Sequence, residues 1–173
     1  MKALVVYESM FGNTATVAEA VAKGIGTAAQ VELVEVGAAP ASLPVDLDLL
    51  VVGGPTHAFS LSRPQTRGEA HSQGARLGDE SQGLREWLGA LEVRRVPAFA
   101  TFDTRISKVR HLPGSAAKKA ARLGRERGLG KVLDHRSFWV TDTPGPLEAG
   151  EPEHAQEWGS LLAGWVAAAP AAR

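Results

Sequence analysis

The sequence predicts an α/β fold in which a parallel sheet is covered by helices on both faces. Short apolar runs typical of buried strands alternate five times with stretches of helical periodicity, and no long linker separates them. The length points the same way, because 173 residues with 44% hydrophobic side chains suit one globular core. We therefore expect residues 1–173 to form a single domain.

The first half of the chain predicts three strands and one long helix. Apolar or alternating runs at residues 3–7, 30–36 and 48–52 indicate the strands. Between the first two, apolar side chains recur at helical spacing from Thr14, and glycines from Gly24 onward indicate where that helix ends.

The second half predicts the remaining elements around one long irregular stretch. Residues 60–83 contain few large apolar side chains, so we interpret them as a long surface loop or insertion after the third strand. An amphipathic helix is expected from Leu84 to Leu91. The other predicted elements are strands at 96–102 and 137–141 and helices at 115–127 and 153–169.

Composition excludes several classes of function. The chain has no cysteine, which excludes disulfides, thiolate nucleophiles and iron–sulfur ligation, so electron transfer would require a bound cofactor. The net charge is zero, which disfavours nucleic-acid binding. Neither a signal peptide nor an apolar run of about 18 residues is present, so we expect a soluble, cytoplasmic protein without a membrane span.

The loop between the first strand and the first helix is the strongest candidate site. A helix start leaves backbone amides without intrahelical partners, and the positive end of the helix dipole favours a phosphate there. The loop contains no Lys or Arg and no G-K-[ST] motif, which argues against a nucleoside-triphosphate P-loop. The alternative is an ordinary capped helix start. The candidate residues are Ser9, Met10, Phe11, Gly12, Asn13 and Thr14.

Residues 5–21, with the sequence VVYESMFGNTATVAEAV, resemble the flavodoxin signature. The resemblance implies a three-layer, doubly wound flavodoxin-like fold with a five-stranded parallel sheet in the order 2-1-3-4-5. It also implies FMN as the cofactor, with the FMN phosphate bound by the loop from Ser9 to Thr14. Ligands of such sheets bind beyond the carboxyl ends of the strands.

The same resemblance implies two further loops around the flavin ring. The second loop of the site, after the loop at residues 9–14, consists of Pro55, Thr56, His57, Ala58 and Phe59. Of these, Phe59 and His57 are candidates for stacking on the ring. For His57, a solvated loop histidine is an equal alternative. The third loop contains Thr101, Phe102, Asp103 and Thr104. For Phe102, the last core position of its strand is expected in preference to a contact with the ring.

Positive charge is concentrated in residues 104–136, which contain ten Lys or Arg against two acids. We expect Arg105, Lys108 and Arg110 to place positive charge beside the flavin. The hypothesis that follows is an anionic partner, which is either an acidic protein face or the phosphates of NAD(P)H. A solvated basic helix face is the alternative.

The sequence therefore predicts an FMN-binding electron-transfer protein of the flavodoxin type. The alternative is an FMN-dependent oxidoreductase acting on a quinone, a porphyrinogen or another small substrate. A third possibility, an interaction module that has lost the flavin, is disfavoured by the intact first loop. No catalytic residue and no metal-ligand cluster can be named. The partner is expected to be a redox protein or a small electron donor or acceptor, and the oligomeric state stays open.

Overall fold

The computed structural model describes residues 1–169. It contains a five-stranded parallel sheet in the order β2-β1-β3-β4-β5 with helices on both faces, which confirms the predicted fold class. The strands are β1 Lys2–Tyr7, β2 Gln30–Glu35, β3 Leu49–Pro55, β4 Ala98–Ile106 and β5 Asp134–Val140. The helices are α1 Asn13–Ile25, α2 Pro64–Ser72, α3 Leu84–Ala90, α4 Ala116–Glu126 and α5 Glu151–Ala168.

The sheet separates two apolar cores. On one face, α1 and α5 pack together over side chains that include Val5, Val51 and Trp158. The two helices approach closely at Gly159, where a Cβ atom would collide with the backbone carbonyl of Val21. On the other face, α3 and α4 cover a second core. Both faces of the central strands are therefore buried, which explains why their sequences are continuous apolar runs.

The register of the sheet brings three strand ends to one edge. Tyr7 at the end of β1 pairs with Gly53 of β3, and Gly53 pairs with Phe102 of β4. Gly53 allows a close approach, because a Cβ atom there would overlap the Phe102 ring. The carboxyl ends of β1, β3 and β4 consequently open onto a shared space.

The fourth strand is longer than the sequence indicated. It continues to Ile106, so Thr101, Phe102, Asp103 and Thr104 lie within β4 and do not form the predicted loop. The polar residues stay in the strand because β3 and β5 pair with them on both sides, as in Thr104 with Pro55 and with Phe138. Backbone pairing to two neighbours overrides the turn-like composition.

Residues 60–83 are not a structureless loop, because they contain α2. The helix begins with Pro64, and the Thr66 hydroxyl accepts a hydrogen bond of 2.9 Å from the Arg63 amide. Its buried residues are only Arg67 and Ala70, so it has no apolar stripe for periodicity to detect. Within residues 1–169, no helix has the length and apolarity required to cross a bilayer.

Candidate functional site

A cavity of about 300 Å³ opens at the edge where β1, β3 and β4 end. This volume is at the lower end of the range for small-molecule sites, which begins at about 300 Å³. Four segments line it: the loop at residues 9–14, the loop that follows β3, helix α2, and the ends of β4 and β5. The cavity therefore lies where ligands of doubly wound sheets bind.

The loop at residues 9–14 is a cradle of hydrogen-bond donors. Gly12 has a φ of 94°, a left-handed conformation that glycine adopts without strain. The amides of Phe11, Asn13 and Thr14 have no hydrogen-bond acceptor among residues 1–169. The first amides of a helix have no intrahelical acceptor and point outward along the positive end of the helix dipole. This cradle therefore has donors available for an anion.

The Ser9 hydroxyl holds the backbone of the cradle in place. Its oxygen accepts long hydrogen bonds from the amides of Gly12, at 3.2 Å, and Ala15, at 3.3 Å. The buried Thr14 hydroxyl pairs at 2.8 Å with that of Thr104, which connects the start of α1 to β4. Thr104 is thus the one residue of the predicted third loop that lines the cavity.

The second predicted loop reaches the cavity through Pro55, Thr56, His57 and Ala58. His57 and Ser60 exchange two backbone hydrogen bonds of 2.9 and 3.0 Å around Ala58 and Phe59. Both central residues have positive φ, 46° and 63°, as in a type I′ turn. Phe59 does not line the cavity: its side chain is half exposed, and its backbone lies against Gly114.

His57 is largely enclosed where this turn meets α2. Burial lowers its pKa below the ordinary value of 6.5, and the nearby Thr66 carbonyl and Glu69 carboxylate only partly counter this effect. The imidazole is therefore neutral at pH 7. Thr66 and Glu69 also line the cavity, so the residues around His57 belong to its wall.

Three residues of the predicted third loop point elsewhere. The ring of Phe102 is fully buried in the core and packs edge-on against Phe138 and Trp158, with centroid distances of 6.1 and 6.2 Å. The Thr101 hydroxyl donates to the Ala117 carbonyl at 3.0 Å. Asp103 accepts from Thr56 Oγ1 and from the Ala117 amide, each at 3.0 Å. Thr101 and Asp103 hold α4 and the second loop in place.

The wall contributed by α2 was not predicted from the sequence. Thr66, Glu69, Ala70 and Gln73 of this helix and its C-terminal end line the cavity. Arg67 of the same helix does not line the cavity and is fully buried. It donates to the Ser62 hydroxyl at 2.8 Å and to the Glu80 carbonyl at 2.9 Å. These hydrogen bonds hold Arg67, and with it helix α2, in position at the cavity.

Two acidic side chains lie close to the buried Arg67. Its Nη2 atom lies 3.0 Å from Glu86 Oε2, at an angle that makes the contact electrostatic rather than a hydrogen bond. Glu8, next to the cradle, accepts a short hydrogen bond from the Ser62 hydroxyl and one of 2.9 Å from the Leu84 amide. Burial raises the pKa of Glu8, and these hydrogen bonds and Arg67 oppose that shift. The network joins the first loop to both α2 and α3.

The expected positive charge beside the ligand is absent from the wall of the cavity. Arg105 is buried in β4, stacks over Trp139 at 5.6 Å and donates to the Leu112 carbonyl at 3.0 Å. Lys108 pairs with Asp142 at 3.5 Å. Among the described residues that line the cavity there is no Lys or Arg, and Glu69 carries a carboxylate. Contrary to the expectation, Arg105 does not line the cavity: its neighbours Thr104 and Ile106 do, and side chains alternate between the two faces along β4.

The sheet order defines a doubly wound α/β protein, and the cavity at its carboxyl edge has the open amides of the first helix start in its wall. The sequence profile of the family described as flavodoxin matches residues 5–157. The chain therefore belongs to the flavodoxin family, and the resemblance stated for residues 5–21 is confirmed. A search of curated proteins found no match.

Solved structures with the same fold include several flavodoxins. One from the domain Archaea is 21% identical, with a TM-score of 0.62, covering 96% of this chain and 99% of that one. A Streptococcus pneumoniae flavodoxin is 17% identical, with a TM-score of 0.64 and coverage of 95% and 99%. A WrbA-like flavodoxin from Agrobacterium tumefaciens is 17% identical, with a TM-score of 0.56 and coverage of 96% and 97%.

FMN is the cofactor that membership of this family gives the chain. The cradle fits the phosphate of FMN in its donor chemistry. Three amides without acceptors lie in one loop, Gly12 leaves the backbone open to a ligand, and a Cβ atom built on Gly12 would meet nothing within 4 Å. A dianion can be held by such neutral donors at a helix start without a cationic side chain.

Proposed function

We propose that this chain is an electron-transfer flavoprotein that holds the FMN phosphate in the loop at residues 9–14. The ring would lie between the second loop, residues 55–58, and Thr104 at the end of β4. The observation that carries the proposal is the set of amides at Phe11, Asn13 and Thr14 that lack acceptors among the described residues. Bound FMN supplies the redox chemistry, and the protein supplies binding and environment.

The residues of this chain have distinct tasks in the proposed site. Ser9 positions the Gly12 and Ala15 amides, and the Thr14–Thr104 hydroxyl pair fixes the distance between the cradle and β4. Phe11 lines the cavity and offers an aromatic surface near the ligand. The neutral His57 adds a hydrogen-bonding group without adding charge.

The environment of the cavity supports a carrier. Its lining has no cation among the described residues, so it offers no counter-charge to an anionic substrate such as a carboxylated porphyrinogen. The alternative, an FMN-dependent oxidoreductase acting on a quinone or porphyrinogen, is not favoured by the family match. A redox partner protein is the proposed source and acceptor of electrons.

Two measurements on purified protein test this function. The first is the visible spectrum after incubation with FMN and gel filtration, in which we expect flavin bands to co-elute with the protein. The second mixes the FMN-loaded protein with NADPH and a quinone in the absence of a reductase. A carrier gives no sustained turnover there, although dithionite reduces it fully. Sustained NADPH oxidation would contradict the carrier role and favour an enzyme.

A further inference from the structure

Outside the cavity, four cations from three elements lie near one another. Arg63 precedes α2, Arg85 belongs to α3, and Lys119 and Arg122 belong to α4. We call these four residues the cationic surface. Helix α3 packs against α4, and Arg85 donates to the carbonyls of Leu61 and Ser62, directly before Arg63. Burial lowers the pKa of Lys119, and the charges of Arg122, Arg85 and Arg63 lower it further, while Glu126 opposes them.

The arrangement keeps its charges in place with little compensation. Arg85 is held by hydrogen bonds to the carbonyls of Leu61, at 2.7 Å, and Ser62, at 2.9 Å. Within residues 1–169, the ion pair made by this surface is that of Arg122 with Glu126, at 3.5 Å between exposed side chains. Like charges held close together oppose folding. A surface of this kind is suited to an external anion.

The cationic surface adjoins the cavity through the turn at residues 57–60. Arg85 Nη2 donates to Ser60 Oγ at 3.2 Å, and Ser60 closes the turn whose residues His57 and Ala58 line the cavity. Phe59, at the outer side of the same turn, is 48% exposed. One short segment therefore has the cavity on one side and an aromatic group and cations on the other.

We infer that the cationic surface, with Phe59 as its apolar anchor, docks an acidic face of a partner protein. Arg and aromatic side chains are the types enriched at protein interfaces, and complementary charge speeds and orients the encounter. For electron transfer the inference rests on the proposed function, because a partner seated here would contact the turn that walls the cofactor cavity.

Nucleic acid and a free phosphorylated molecule fit this surface less well. The chain has zero net charge, and the surface has one aromatic rather than a series that could stack on bases. A phosphate site requires donors that converge on one point. Here the Nε and Nη2 groups of Arg85 donate to the carbonyls and the hydroxyl of residues 60–62, which leaves Nη1 as its donor to a ligand. An extended acidic protein face matches cations spread over α3, α4 and the residue before α2.

The test measures binding of FMN-loaded protein to two fluorescein-labelled probes by anisotropy at low salt. The probes are poly-L-glutamate and an acidic peptide with interspersed leucines. We expect R63E/K119E to weaken both by at least about tenfold. The control K23E/K131E makes the same change in net charge at exposed lysines of α1 and of the loop before β5, and it should retain most of the affinity. Phe59→Ser should weaken only the leucine-containing peptide.

Several outcomes would overturn the inference. Equal losses in R63E/K119E and K23E/K131E would mean that the probes sense only net charge. Tighter, surface-dependent binding of labelled duplex DNA or of NADPH would assign the surface to another ligand. FMN uptake is measured in the same samples: R63E/K119E should bind FMN as the wild type does. Protein that binds FMN but shows no surface-dependent peptide binding would refute the docking surface and leave the proposed cofactor site intact.

Discussion

The loop at residues 9–14 and helix α2 line the same cavity, but they differ in whether their polar groups have partners. The loop exposes backbone amides without acceptors and uses no charged side chain. Behind α2, the fully buried Arg67 makes contacts with Ser62, Glu80 and Glu86. Unpaired neutral donors at the first wall mark a place for a ligand, whereas paired charges behind the second wall hold an element in position.

The largest expected effect is from removing the charge behind α2. Arg67→Met leaves Glu86 without its cation and the Ser62 hydroxyl without its donor, and breaking a largely buried pair in this way costs up to about 3–5 kcal/mol. The free energy of unfolding in urea measures it. The control is Arg76→Met, at an exposed arginine in the loop that follows α2. Its free energy of unfolding should stay within about 0.5 kcal/mol of the wild-type value.

If Arg67→Met does not fold, a second variant still tests the network. The double variant Glu8→Gln, Arg67→Met replaces both buried ionisable side chains by neutral ones. It should be more stable than Arg67→Met alone. If Arg67→Met lost less than about 1 kcal/mol, the network would not be the support of the wall.

The next effect concerns the cradle. Gly12→Ala forces alanine into a φ of 94°, which costs about 1–2 kcal/mol of stability. We also expect FMN affinity to fall about tenfold or more, because relaxation of the loop would turn the amides away. Gly89→Ala is a matched control in α3, where a Cβ atom meets nothing within 4 Å. It should stabilise the protein by up to about 1 kcal/mol and leave FMN affinity unchanged.

The smallest effect is expected where the second loop meets α2. The pKa of His57 is lower in the folded chain than 6.5, so the folded state resists its protonation. The stability associated with this group is present above pH 6.5 and is lost as the pH falls through the lowered folded pKa. Below pH 6.5, wild type should lose stability more steeply than His57→Gln, by at most about 1.4 kcal/mol per pH unit.

Urea unfolding of both proteins between about pH 7.5 and pH 5 measures this slope, with the exposed His111→Gln as control. A slope in His57→Gln equal to that of wild type would show that His57 is not protected by burial. The two walls would then be more open to solvent than their contacts indicate.

The sheet and its order could be predicted from the sequence, but helix α2 could not. Strands 3–7 and 48–52 are buried on both faces and therefore appear as continuous apolar runs. Arg67 is buried by partners far away in the chain, such as Glu8 and Glu86, so no local period reveals it. A Pro at the first helical position was the available signal for this helix.

The candidate site was predictable to different extents along the chain. The first loop follows from a strand, a glycine and a helix start, all of which are local features. The end of β4 depends on pairing with β3 and β5, so the polar run Asp103, Thr104 and Arg105 resembled a turn. Phe59 lies within a turn in which two non-glycine residues, Ala58 and Phe59 itself, have positive φ, which composition does not indicate.

Comparison of FMN with riboflavin tests the cradle most directly. The two ligands differ only in the terminal phosphate, so quenching of flavin fluorescence by the apoprotein reports what residues 9–14 contribute. We predict that FMN binds at least about 100-fold more tightly, a difference of about 2.7 kcal/mol, and that this preference changes little with salt. Equal affinities for FMN and riboflavin, or a preference lost in Arg63→Glu but kept in Gly12→Ala, would contradict the account.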